Sequence, residues 1–179
     1  MQDLALHILD IVENSIAASA RRIAILIAED TREDLLSIEI KDDGKGMDAE
    51  TKKRALDPFF TTRTTRQVGL GLPLLAQAAR EAEGSFEITS RPGKGTIVKA
   101  SFRRSHPDRK PVGDIGETVR TILAGRLDLA LHYEHRIDDE VYRFDTTDVE
   151  NGGGDRLRAA RLNSEPGFSP GECDGETDG

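Results

Sequence analysis

DPFFTTRTTRQVGLGLPLLAQAAREAEG, Asp57 to Gly84, packs a proline, two phenylalanines, a Thr/Arg run and a Gly-Leu-Gly-Leu step into one stretch. Threonines and arginines before a glycine step suggest a loop built around an anion. Gly lets backbone amides approach a phosphate, and a following helix points its positive end at it. Leu70 to Ala82 has the spacing of that helix, and Gly84 is placed to end it. On the other side, Asp48 can cap a short helix to about Leu56, which Pro58 breaks, and Thr61 to Val68 has the composition of a loop.

Outward from this stretch the chain alternates helical and strand periods. Leu4, Ile8, Ile11, Val12 and Ile16 follow helical spacing over Asp3 to Ala20. RIAILIA (Arg22 to Ala28) and LLSIEI (Leu35 to Ile40) flank a charged turn and read as paired strands, as do Ser85 to Ser90 and Thr96 to Phe102 around RPGKG. This order predicts an α+β two-layer sandwich, with helices on one face of a mixed, mostly antiparallel sheet. The core domain is expected over 1–104, with a linker at 105–113. A small unit, a helix near Ile115 to Ala124 plus a β-hairpin, follows over 114–148. A Gly-rich acidic tail over 149–179 is expected to be disordered.

Composition excludes several classes. At 179 residues, one core with appendages fits better than two domains. A net charge of -8 argues against duplex or membrane-surface binding through bulk charge, and no Trp with 4% aromatics argues against a stacking platform for single strands. No nucleic-acid partner and no membrane partner is expected. The single cysteine, Cys173, allows no disulfide framework within one chain. The first residues carry acids rather than a basic leader, and no apolar run reaches the ~18 residues of a membrane span, so a cytoplasmic location is expected.

Four islands carry chemistry. Asp10 and Asn14 lie one turn apart on the first helix, where they can hold a hydrated magnesium ion or orient a water; the plain alternative is a solvated helix face. In Asp42-Asp43-Gly44-Lys45-Gly46-Met47, a carboxylate at a strand end can accept from an exocyclic amine while glycines leave room for a flat base; the alternative is an ordinary Asp-Gly turn. Gly69-Leu70-Gly71-Leu72 opens a helix, and Gly93-Lys94-Gly95-Thr96 is a hairpin turn that can set the Thr96 hydroxyl near a base. His132 and His135 fall on opposite faces of their strand, which disfavours a shared metal site.

In this order and spacing the islands resemble the GHKL ATP-binding family: DNA gyrase B, the large heat-shock chaperones, histidine kinases and MutL proteins. The resemblance covers Leu4 to Phe102. IVENSIAASARRIAI is similar to the asparagine box of MutL-type proteins, and DPFFTTR followed by GLGL is similar to the histidine-kinase version with a short lid. It implies a Bergerat-type fold, ATP with Mg2+, and roles for particular residues. Asn14 would coordinate the magnesium. Asp42 would read the adenine amine, with Gly44, Gly46 and Met47 around the ring and Thr96 supporting a bridging water. Gly69, Leu70, Gly71 and Leu72 would hold phosphates at the helix mouth. Thr61, Thr62, Arg63 and Arg66 would belong to the lid, with Phe59 and Phe60 as its hydrophobic anchor. Two departures bear on turnover. Gln67 stands where the family has a further glycine, and Asp10, a candidate base, stands where hydrolysing members carry a glutamate.

No phosphoacceptor helix precedes the asparagine box in this sequence, so self-phosphorylation is not expected. The expected function is a Mg-ATP-binding regulatory module acting on a protein partner in trans, by phosphotransfer or lid signalling, as in anti-sigma-factor serine kinases. Its alternatives are a slow MutL-type ATPase switch and a non-enzymatic nucleotide sensor. Two-component systems and redox-enzyme complexes are the candidate settings, and a homodimer is a further candidate assembly.

Overall fold

The computed structural model describes residues 3–59 and 71–148. The chain opens with α1 (Leu4–Ala17), capped by the Asp3 carboxylate, which accepts from the Leu6 amide at 3.0 Å. The helix stops short of the expected Ala20. Ser19 turns to a φ of +63° and the Ala20 amide closes onto the Ser15 carbonyl at 3.1 Å, which satisfies carbonyls that a helix end leaves open. Strands β1 (Arg22–Asp30) and β2 (Leu35–Asp42) follow, buried at every second residue as a half-covered sheet requires. The short α2 (Ala49–Ala55) is capped by Asp48, as expected. After α3 (Gly71–Glu81), Glu83 rather than Gly84 takes the left-handed turn, with φ +53°. The remaining elements are β3 (Phe86–Ser90), β4 (Thr96–Arg103), α4 (Ile115–Leu123), β5 (Ala130–Ile137) and β6 (Glu140–Asp145).

The six strands form one mixed sheet in the order β3-β4-β2-β1-β5-β6, antiparallel throughout except between β1 and β5. The inner face buries Ile23, Ile25, Ile27, Ile38, Ile40, Val98, Phe102 and Leu131 against Leu4, Ile8, Ile11 and Val12 of α1, Leu75 and Ala79 of α3, and Val119 and Ile122 of α4. This is the expected α+β sandwich, the Bergerat-type architecture. The helix and hairpin expected over 114–148 are present, but they extend this same sheet. β5 runs beside β1 from Arg22↔Ala130 to Glu29↔Ile137, and α4 packs on α1. The expected linker is also tied in. The Pro111 and Val112 carbonyls accept from the Leu4 and Ala5 amides at 2.9 and 2.8 Å, satisfying two open donors of the first turn of α1. Residues 149–179, expected to be disordered, lie outside the described residues.

A buried polar chain joins β5 to β1. His135 Nε2 lies 3.1 Å from Glu29 Oε1, His135 Nδ1 lies 3.2 Å from the Tyr133 hydroxyl, and Arg104 donates to Glu29 Oε2 at 3.3 Å. The His135 hydrogen bond holds the Glu29 carboxyl below its ordinary range, against the opposing effect of burial.

His7 is the less comfortable buried group. It is 1% exposed on α1, and neither ring nitrogen has a hydrogen-bond partner among the described residues. Burial, helped by the Lys110 charge, lowers its pKa from 6.5 to about 4. The unfolded chain therefore takes up a proton near pH 6.5 while the folded chain does not. Stability is full above pH 6.5 and falls as the pH drops toward 4. At pH 5 the loss is about 2 kcal/mol, since each unit corresponds to ~1.4 kcal/mol. Urea titrations between pH 7 and 5 should show this slope in the native protein and lose most of it in His7→Leu; equal slopes would show that His7 does not cause it.

Candidate functional site

Strand register sets three polar side chains in one row at one end of the inner face. Ser90 pairs with Thr96 across β3 and β4, and Thr96 pairs with Asp42 across β4 and β2, so all three point toward the helices. The apolar alternation of β2 places Asp42 inward, where it is 8% exposed. The end of α1 lies over it. Ser15 donates to Asp42 Oδ2 at 2.7 Å, and the Gly44 amide donates to Asp42 Oδ1 at 2.9 Å. Each oxygen is fixed by one donor and keeps a further lone pair, so the carboxylate is oriented without being used up.

The 43–47 loop is folded onto the β3–β4 turn. Ser90 accepts from the Met47 amide at 2.8 Å, and the Gly93 amide donates to the Lys45 carbonyl at 2.7 Å. Gly46 and Gly95 have φ of +66° and +73°, and a Cβ at either would overlap a carbonyl oxygen, of Arg91 and of Asp42 respectively. At Gly46 the missing side chain therefore makes room for the protein's own turn. Gly44 likewise faces the Ala18 carbonyl, with which a Cβ would be 2.9 Å apart.

Asn14 is half-buried on α1, directly before Ser15, and Asp10 lies one turn earlier. The Asp10 carboxylate abuts Gly71, the first residue of α3, so closely that a Cβ there would overlap Oδ2. Leu72 packs against the core and Met47 lines the loop side. The structure thus brings Asp42, Gly44, Gly46, Met47 and Thr96 into one neighbourhood, and Asp10, Gly71 and Leu72 into a second. Thr61, Thr62, Arg63, Arg66, Gly69 and Leu70 lie outside the described residues, as does Gln67. Of the expected aromatic anchor, Phe59 is 94% exposed, while Phe60 and the lid it would anchor lie outside the described residues.

Ser15 and Ser90 are the residues that sequence reasoning missed. Neither stands in a local pattern that signals its partner, because Ser15 meets Asp42 across 27 positions and Ser90 acts through the strand register.

The charge distribution is uneven. Lys45, Arg91 and Lys94 are exposed around the 43–47 loop and its facing turn, and none forms an ion pair among the described residues. No group of three or more His, Cys, Asp or Glu side chains able to hold a metal occurs among the described residues. Asn14 carries a side-chain amide oxygen on a half-buried position of α1, a hard oxygen donor of the kind Mg2+ accepts. His132 faces outward to Asp145 at 3.0 Å while His135 is buried, so the two share no site. No helix among the described residues is long and apolar enough to cross a membrane.

Comparison with known proteins agrees with this geometry. The chain is 40% identical over 91 residues to the sensor protein kinase FleS of Pseudomonas aeruginosa, covering 51% of this chain and 22% of that protein. It is 32% identical over 91 residues to sporulation kinase C of Bacillus subtilis, covering 51% and 21%. It thus spans about a fifth of the length of these curated relatives. A crystal structure of the N-terminal domain of a DNA repair protein shares the fold with a TM-score of 0.56 at 17% identity, over 91% of this chain and 56% of that one. The profile of the family described as "Histidine kinase-, DNA gyrase B-, and HSP90-like ATPase" matches residues 2–106, more than half of the chain. This protein belongs to that family, as an ATPase domain of the histidine-kinase type.

Proposed function

We propose that the chain binds Mg-ATP across the Ser90–Thr96–Asp42 row and the start of α3, and acts from there on a protein partner in trans. The observation that carries this reading is Asp42. It is a buried carboxylate oriented by Ser15 and Gly44 with lone pairs to spare, at the end of the inner row of the sheet. Asp42 would accept from the adenine amine, with Thr96 beside it. Asn14 would hold the magnesium, which supplies charge neutralisation between phosphates. Gly71 and Leu72, with Gly69 and Leu70 before them, would offer amides at the positive end of α3. Thr61, Thr62, Arg63 and Arg66 would belong to the lid, and an arginine there would neutralise the terminal phosphate.

The chemistry open to such a site is in-line transfer. An acceptor atom on the partner bonds to the terminal phosphorus, the bond to the bridging oxygen breaks, and ADP leaves with the electron pair. FleS and sporulation kinase C are a sensor kinase and a sporulation kinase by name, so receiver proteins of two-component systems are the first partners to try. A second reading, a slow ATPase switch, is favoured by the contact of Asp10 with Gly71, since a carboxylate at the start of α3 would lie near a phosphate held there and could orient an attacking water.

The two readings separate on one set of assays. If Asp10 is the base, Asp10→Asn loses ADP formation by about a hundredfold or more, the low end of what a positioned base contributes, while ATP affinity stays within twofold. Labelled phosphate appearing on a receiver protein supports transfer in trans. Neither product, with ATP still bound, leaves a nucleotide sensor, and absence of ATP binding by calorimetry rejects the site altogether.

A further inference from the structure

Ser90 makes three polar contacts with one hydroxyl. It accepts from the Met47 amide at 2.8 Å, donates to the Gly95 carbonyl at 3.0 Å, and lies 2.9 Å from Thr96 Oγ1. A serine has one proton and two lone pairs, so only one of the two oxygen contacts can use the Ser90 proton. Gly95 is buried, and Ser90 is the only donor to its carbonyl among the described residues. Leaving that oxygen without a donor is costly, so the Ser90 proton belongs to Gly95. The short contact to Thr96 then requires the proton of Thr96. Thr96 is left with lone pairs alone on its open side.

We infer that Ser90 is a specificity-determining positioning residue: it consumes the Thr96 proton and so turns Thr96 into an acceptor beside the Asp42 carboxylate. Thr96 and Asp42 are directly paired across β4 and β2 and point to the same side, where paired Cβ atoms lie about 5 Å apart. Two neighbouring groups that can only accept suit a ligand edge that donates, the amino edge of a purine. They oppose an oxo edge, whose lone pairs would face theirs. A water between Thr96 and the base must also point one hydrogen at Thr96, keeping its other hydrogen for a ring nitrogen that accepts. Both routes favour an aminopurine over an oxopurine. With Ser90 removed, the Thr96 hydroxyl is free to turn and donate, and the preference weakens although Asp42 is untouched.

This inference rests on the ATP-binding reading, and the ratio of two affinities tests it separately. Calorimetry with Mg-ATP and Mg-ITP on the full chain should give a strong preference for ATP, about a hundredfold, as expected when a hydrogen bond to a charged carboxylate is lost. Ser90→Ala should lower that ratio about tenfold, and Ser90→Thr, which keeps the hydroxyl, should restore most of it. A Ser90→Ala chain that loses affinity for both nucleotides equally would show that Ser90 only clamps the loop, and would overturn the inference while leaving ATP binding intact. If thermal melts show Ser90→Ala unfolded, Thr96→Val gives the decision: removing the hydroxyl must also lower the ratio, and an unchanged ratio overturns the inference. A native chain that binds neither nucleotide rejects the parent reading and this one with it.

Discussion

Asp42→Asn leaves a folded chain that binds ATP about 100-fold more weakly. The amide oxygen can keep the Gly44 amide as its donor, and the new amide nitrogen can donate to Ser15, whose hydroxyl turns to the Ile11 carbonyl it already approaches at 3.2 Å. Every local hydrogen bond is therefore replaced, and the thermal midpoint should move by only a few degrees. What disappears is the charge and the spare lone pairs that face the ligand. A hydrogen bond to a charged group is worth about 1.5–3 kcal/mol, which puts the loss near two orders of magnitude. Calorimetry with Mg-ATP measures it, alongside a melt that confirms the fold. Affinity within threefold of the native value would remove Asp42 from the site and with it the row as a base-recognition floor.

A chain ending at His106, where the family match ends, fails to fold. Deleting α4, β5 and β6 removes their own ordering cost as well as their contacts, so the deciding loss is on the part that stays. β1 becomes an edge strand along its whole length, and Ile23, Ile25 and Ile27 lose Leu131, Tyr133 and the α4 side of the core. α1 loses the helix packed on one flank, and with it the pairing of Glu13 with Arg126 at 2.9 Å. An apolar side chain returned to water costs about 1.5–3 kcal/mol, so a handful of them equals the ~5–15 kcal/mol of a whole domain. A flat edge rich in β-branched residues is also a template for aggregation. The expected result is aggregated material without a cooperative urea transition. A soluble 1–106 chain with a sharp transition and native ATP affinity would instead make the helix and hairpin an accessory, as the linker-like sequence before them suggested.

Much of the fold was legible because periodicity is a local property. The 3.6-residue spacing of Leu4, Ile8, Ile11 and Val12, and the alternation through Ile23 to Ile27 and Leu36 to Ile40, follow from which side of each element must leave water. Asp42 was legible as an acid at a strand end followed by glycines, and its burial came only with the strand's extension to it. Asn14 and Thr96 were legible only through a resemblance to known ATP-binding proteins, since an Asn on a helix and a Thr after a turn are common.

By itself, the sequence determined the elements, their inward faces and the family, because these depend on side-chain type at short spacing. Tertiary structure alone decided where β5 lies, since nothing local says which edge a hairpin will join, and it lies parallel to β1 rather than beyond a linker. It alone put Ser15 over Asp42 and Ser90 beside Thr96, because strand register and the end of α1 bring together residues that no spacing relates. The direction of the Thr96 hydrogen bond was decided last of all. The two hydroxyl protons of Ser90 and Thr96 can be assigned only when both hydroxyls and the Gly95 carbonyl are in place.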